Sequence, residues 1–152
     1  LHAHRQRWQG VGAAADAPRR RLVHLSRILV AGGPRVGKTT FAGKLAKDLG
    51  GVPLRHTDDL IGTLAWSDAS AQVSAWLDDP DPWIIEGVTV VRAIRKWLAT
   101  HATGMPADVL YVSEDPKVQR TPQQVAMSKS FTTIWCGISD ELRKRGLAPQ
   151  LF

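Results

Sequence analysis

One stretch, Val30-Ala31-Gly32-Gly33-Pro34-Arg35-Val36-Gly37-Lys38-Thr39-Thr40, limits what this chain can fold into more than any other. Ahead of it, Arg27-Ile28-Leu29-Val30-Ala31 is short, apolar and partly β-branched, the pattern of a parallel strand buried on both faces. Behind it, Phe41, Leu45 and Leu49 recur at i, i+4 and i+8 on one face of a helix that Gly50-Gly51 stops. Strand, glycine-rich turn and helix, in that order, converge backbone N–H groups and the positive end of a helix on one anion. The spacing Gly32, Gly37-Lys38-Thr39 adds an ammonium and a hydroxyl at that point. Lys38 is placed to reach the β- and γ-phosphates of ATP or GTP, and the Thr39 hydroxyl to hold Mg²⁺. Gly32, Gly33, Pro34, Arg35, Val36, Gly37, Lys38, Thr39 and Thr40 are therefore the candidate nucleotide contacts.

The rest of the chain alternates strand and helix signals. Val52 to His56 is a second strand candidate, followed by Thr57-Asp58-Asp59-Leu60-Ile61, where Thr57 or Asp58 suits the cap of a short helix. Residues 67–77 read as a helix with Val73, Trp76 and Leu77 on one face, ended by Asp78-Asp79-Pro80-Asp81-Pro82. Trp83-Ile84-Ile85-Glu86-Gly87 is a buried strand closing on a carboxylate. A helix over 89–100 carries Val91, Ile94 and Leu98 on one stripe, and Asp108 to Val112 is the fourth strand. Residues 123–144 make one or two helices, and a fifth strand is either absent or expected only as a remnant within 146–152. This alternation predicts an α/β fold of three layers, a small parallel sheet of four or five strands flanked by helices. Functional groups should gather beyond the C-terminal ends of its strands. That rule selects Asp58 and Asp59 after the second strand, Glu86 after the third, and Glu114 and Asp115 after the fourth.

A chain of 152 residues with 43% hydrophobic content suffices for one domain with a real core. The formal charge of +6 is unevenly placed: residues 1–27 carry six arginines against Asp16 alone, and the remainder holds 14 basic and 13 acidic residues. Residues 1–26 are thus read as a basic, poorly ordered arm ahead of a domain over 27–152. Three origins fit the arm: a nucleic-acid contact, an arginine-rich transit segment, or an appended stretch, the last in keeping with the absence of an initiating Met. His2 and His4 have no further ligands beside them and make a weak metal site. The single Cys136 has no internal partner, and no apolar run approaches the ~20 residues that span a bilayer. A soluble, cytoplasmic protein is the expectation.

With these motifs placed, the chain resembles the P-loop nucleoside triphosphate hydrolase superfamily, in particular its adenylate kinase-like and shikimate kinase-like small kinases. The resemblance rests on VAGGPRVGKTT, HTDDLI, WIIEGVTVVR and DVLYVSEDP and spans roughly residues 27–145. It implies a phosphotransferase that moves the γ-phosphate of ATP or GTP, with Mg²⁺, to a small-molecule, nucleoside or nucleotide acceptor. Adenylate kinases carry a Thr-Gly-Asp-like segment where this chain has Thr57-Asp58-Asp59, and an Asp-Gly segment with a nearby arginine where it has Glu86-Gly87 and Arg92. Shikimate kinase-like and polynucleotide kinase-like enzymes place an acceptor-binding or catalytic Asp near the position of Asp58. Lys38 and Asp58 are thus catalytic candidates, joined by Arg120 as a cation that could swing over the transferring phosphate; Thr39 and Asp58 are the metal candidates, Asp59 and Arg92 the acceptor-binding candidates, and Glu86 suits holding the acceptor or bridging Mg²⁺ through water.

The chain departs from adenylate kinases in lacking an arginine-rich lid; Lys117, Arg120 and Lys129 are scattered through KVQRTPQQVAMSK instead. Two other functions stay open. A polynucleotide 5′-kinase would use Asp58 on a 5′ hydroxyl, but a nearly neutral domain does not favour nucleic acid as a partner. A nucleotide-binding module without transferase activity is the other. Most tryptophans are core candidates, with Trp66 in the acceptor region suited to stacking on a base. His56, at the end of the second strand, suits a structural hydrogen bond.

Overall fold

A computed structural model describes residues 26–113 and 119–152. The basic arm with His2 and His4, and the loop residues Glu114, Asp115 and Lys117, lie outside the described residues. The elements run β1 (Arg27–Gly32), α1 (Lys38–Asp48), β2 (Leu54–His56), a 3₁₀ turn (Thr57–Leu60), α2 (Trp66–Trp76), β3 (Trp83–Gly87), α3 (Val90–Thr100), β4 (Val109–Ser113), α4 (Pro122–Lys144) and β5 (Pro149–Leu151). The five strands form one sheet in the order β2-β3-β1-β4-β5, and every pairing is parallel. The fold is α/β, a small parallel sheet flanked by four helices. Among the described residues no helix is long and apolar enough to cross a membrane.

Alternation along the strands divides the core in two. Leu29 and Ala31 of β1, Trp83 and Ile85 of β3, and Leu110 and Val112 of β4 pack with buried residues of α2, α3 and α4. Ile28 and Val30, Ile84 and Val109 point the other way, onto Ala42 and Leu45 of α1 and Leu49 just beyond it. Because both sets are buried, β1 and β3 read as near-continuous apolar runs, as strands covered on both faces must. Phe152 completes the α1 side by stacking on Phe41 at 4.4 Å between ring centroids.

Local sequence explains the ends of most elements. The α4 helix is a single element whose N-terminus is a full capping box: Gln124 N–H donates to the Thr121 hydroxyl, the Gln124 side chain accepts from Thr121 N–H, and Pro122 takes the first turn. The turn after α2 is held by two indoles, Trp83 Nε1 donating to the Asp79 carbonyl and Trp97 Nε1 to the Asp78 carboxylate, both at 2.9 Å. The segment after β2 differs from the sequence expectation. It is a 3₁₀ turn with no side-chain cap, and Thr57 faces inward, fully buried. Close packing of its side chain on Gly87 takes precedence over a local cap.

Candidate functional site

The β1–α1 loop lies where the sheet's C-terminal edge is best supplied with polar groups. In register, Val30 of β1 sits beside Glu86 of β3, Gly32 beside Ser113 of β4, and His56 of β2 beside Glu86 on the other side. Gly32 cannot carry a side chain, since a Cβ there would come within 2.4 Å of the Ser113 carbonyl and 2.7 Å of Val36 Cγ2. The turn into α1 is made by Arg35 at φ 67° and Gly37 at φ 87°, both left-handed. Gly37 caps α1 without a side-chain acceptor, and the first turn holds no acidic residue. The early N–H groups of α1 thus keep their donor capacity for an anion.

Lys38 is buried and donates from Nζ to the Gly33 carbonyl at 2.6 Å, curling back along the loop. Burial pulls its ammonium below the ordinary lysine value of 10.5; the Glu86 and Asp58 carboxylates oppose that shift and the Arg120 guanidinium adds to it. Thr39 donates its hydroxyl to Glu86 Oε2 at 3.3 Å, and His56 Nδ1 meets the same oxygen at 2.5 Å. Glu86 is 1% exposed, and its Oε1 has no partner among the described residues, nor do the buried hydroxyls of Thr57 and Thr89. Arg120 reaches across the loop, donating from Nε to the Pro34 carbonyl and from Nη1 to the Ser128 hydroxyl, each at 2.9 Å.

Of these groups, Lys38 and Thr39 line a cleft of about 680 Å³ whose walls also include Arg35, Asp58, Gln124 and Met127. A second cavity of about 390 Å³ adjoins it, sharing Val88 and Met127, and is walled by Val91, Phe131 and Ile134 with Trp66 and Arg92 at its polar side. The Arg92 guanidinium lies 5.7 Å from the Trp66 ring centroid, a cation–π pair, and Trp66 is 42% exposed. Of the other core candidates, Trp83 and Trp97 are buried, whereas Trp76 and Trp135 only flank the core. Asp59 points elsewhere: it lines a separate cavity outside β2 with Arg55, Leu60 and Asp79. Successive residues of a tight helical turn diverge, so Asp58 and Asp59 face different spaces.

The sequence-predicted residues Lys38, Thr39, Asp58, Glu86 and Arg120 are thus gathered around one loop, Arg92 stands at the adjoining cavity, and Asp59 is separate. Gln124, Met127 and Ser128 were missed. Only the capping box signalled that α4 starts at Pro122, and nothing local showed that its first turns lie over the loop. Cys136 is exposed and stands apart from these groups. Among the described residues no three His, Cys, Asp or Glu side chains gather as a metal cage. No protein-family model matches this chain, and no curated protein matches it significantly.

Proposed function

We propose that this chain is a P-loop phosphotransferase that binds ATP or GTP at residues 32–40 and passes the γ-phosphoryl group to an acceptor held in the adjoining cavity. One observation carries the reading: Lys38 and Thr39 open a helix that lacks its own cap and face a buried glutamate with an unpartnered oxygen. Mg²⁺ suits this donor set, because it takes hard oxygens, keeps several waters and needs only one or two protein groups beside the phosphates. Thr39 and Glu86 would hold it, directly or through water, and bound there it neutralises phosphate charge. Glu86 is then a metal partner rather than an acceptor contact.

In the transfer, an acceptor hydroxyl oxygen forms a bond to the γ-phosphorus while the bond from that phosphorus to the β,γ-bridging oxygen breaks, leaving the nucleoside diphosphate. Lys38 and Arg120 lie where negative charge collects on the transferring group, and the low-dielectric loop makes their charge count for more. Asp58, on the wall of the loop cleft, takes the hydroxyl proton as the new bond forms. In the second cavity, Arg92 and Trp66 offer a cation and a flat apolar surface to the acceptor.

The test follows labelled γ-phosphate from ATP, with Mg²⁺, into nucleosides, nucleotides, small hydroxyl compounds and 5′-hydroxyl oligonucleotides. Label on one acceptor supports the proposal and names the substrate; ATP binding without label on any acceptor leaves a binding module. With an acceptor known, Asp58→Asn is expected to lower the transfer rate by roughly 10²-fold while ATP affinity stays within about twofold. An equal loss of both would make Asp58 a structural or metal group. Arg92→Ala should raise the KM of an anionic acceptor by about tenfold and leave that of ATP unchanged, the signature of a lost contact to one substrate only. A rise in both would place Arg92 outside the acceptor site.

A further inference from the structure

His56 is not needed for any step above, yet it is tied to the buried Glu86 carboxylate at the loop. Parallel register sets His56 beside Glu86 at the sheet's C-terminal edge. Both share strand parity with Leu54 and Ile84, which face α1, so both side chains lie on the side from which Thr39 approaches. Toward a carboxylate oxygen that accepts, the Nδ1–H tautomer of His56 is the donor, as is the Thr39 hydroxyl, both to Oε2. Oε1 receives nothing among the described residues. One oxygen therefore carries both donors while the other is buried without a hydrogen-bond partner among these residues.

We infer that His56 is a positioning residue that fixes the Glu86 carboxylate beside Thr39, so that Mg²⁺-dependent nucleotide binding depends on its Nδ1–H. This rests on the nucleotide reading given above. A carboxylate with one firm donor and one long one, the 3.3 Å bond from Thr39, keeps only the long one once the firm donor is gone. The Thr39 hydroxyl, moreover, leaves Oε2 when it turns to a metal ion, and His56 is then the remaining hold. Donors that orient a metal-binding group typically matter by 10–100-fold in metal affinity or activity, roughly the effect expected here. His56 sits on an edge strand with its side chain 34% exposed, so replacing it leaves the core intact.

The experiment measures ATP and GTP affinity by calorimetry in MgCl₂ and in EDTA for the wild type, His56→Leu and His56→Asn. Leucine fills the space without a donor, whereas the asparagine amide nitrogen, bonded to Cγ as Nδ1 is, restores one. The expected result is a loss of about tenfold or more in the Mg²⁺-dependent gain for His56→Leu, no change beyond twofold in EDTA, and recovery to within about threefold for His56→Asn. An unchanged gain in His56→Leu overturns the inference, and so does an Asn variant as impaired as the Leu variant, which would make the role one of packing. A wild type that binds neither ATP nor GTP in either buffer removes the nucleotide reading, and this inference with it; binding without an effect at His56 removes this inference alone. Should His56→Leu not fold, ¹⁵N spectra of the wild-type imidazole decide: an Nδ1–H tautomer supports the inference, and an Nε2–H tautomer overturns it.

Discussion

Lys38→Met is expected to weaken ATP binding by about 10²-fold and to remove measurable transfer, without destabilising the apo protein. The ammonium is buried in the loop against the Gly33 carbonyl, and on the proposed reading its loss removes a charged donor to the phosphates. Removing one side of a desolvated charge pair typically costs 2–5 kcal/mol, which at ~1.4 kcal/mol per decade brackets that figure. The stability half of the expectation follows from the lowered pKa of Lys38, caused first by burial. Below its folded-state pKa the group is charged in both states, and the folded state bears the full desolvation cost. Between that pKa and 10.5 the unfolded chain binds more protons, so stability rises with pH through this window. The variant lacks that cost and should melt at or above the wild type at pH 7, with the difference shrinking as pH approaches 10.5. Calorimetric titration and paired melts check both halves. Binding within threefold of wild type would remove Lys38 from the site, and a clear drop in melting temperature would make the loss one of folding.

Gly87→Ala carries the largest expected loss of stability, about 4 kcal/mol. Gly87 has φ 144°, a conformation that L side chains rarely adopt, and a Cβ there would lie 1.7 Å from Thr57 Oγ1 and 2.8 Å from Thr57 Cβ. Thr57 is itself fully buried and has nowhere to retreat. Backbone strain of about 1–3 kcal/mol and overpacking of similar size therefore add. A domain of this size would lose roughly 10–20 °C in melting temperature. Gly50→Ala is the matched control: its φ of 76° is also left-handed, but a Cβ meets nothing within 4 Å. It should cost only about 1 kcal/mol, the backbone part alone. Adding Thr57→Ala to Gly87→Ala removes the closest clash and should recover a substantial part of the loss. A Gly87→Ala protein melting within 3 °C of wild type, on the roughly 2–8 °C per kcal/mol scale, would show that β3 and the 3₁₀ turn separate easily.

The second prediction concerns a contact between segments far apart in sequence, Thr57 and Gly87, and this is where sequence reading stopped. The strands β1, β3 and β4 were legible because an apolar, β-branched run bounded by turn residues has few other ways to bury itself. The loop was legible for a similar reason: Gly32 and Gly37 occupy positions that tolerate little else, and Lys38 and Thr39 follow at fixed spacing. The separation of Asp58 from Asp59 was also foreseeable, since adjacent side chains on a tight turn diverge. By contrast, β5 was expected to be absent or only a remnant. It has just three residues, and its partner, β4, lies far back in the chain.

The sequence by itself determined the local pieces of this protein: buried strands, a glycine-rich turn into a helix, a last helix beginning near residue 123, and carboxylates at strand ends. These follow from periodicity, backbone sterics and capping, each settled within a few residues. Only the tertiary structure decided which pieces meet. The order β2-β3-β1-β4-β5 places Glu86 between His56 and Val30, so that a glutamate from β3 faces Thr39, 47 residues away. The same is true of Arg120, which crosses 86 residues to Pro34, and of Trp66, left exposed beside Arg92 while Trp83 is buried. Strand order and register depend on the summed burial of both sheet faces and not on any one segment, so these juxtapositions have no local signature.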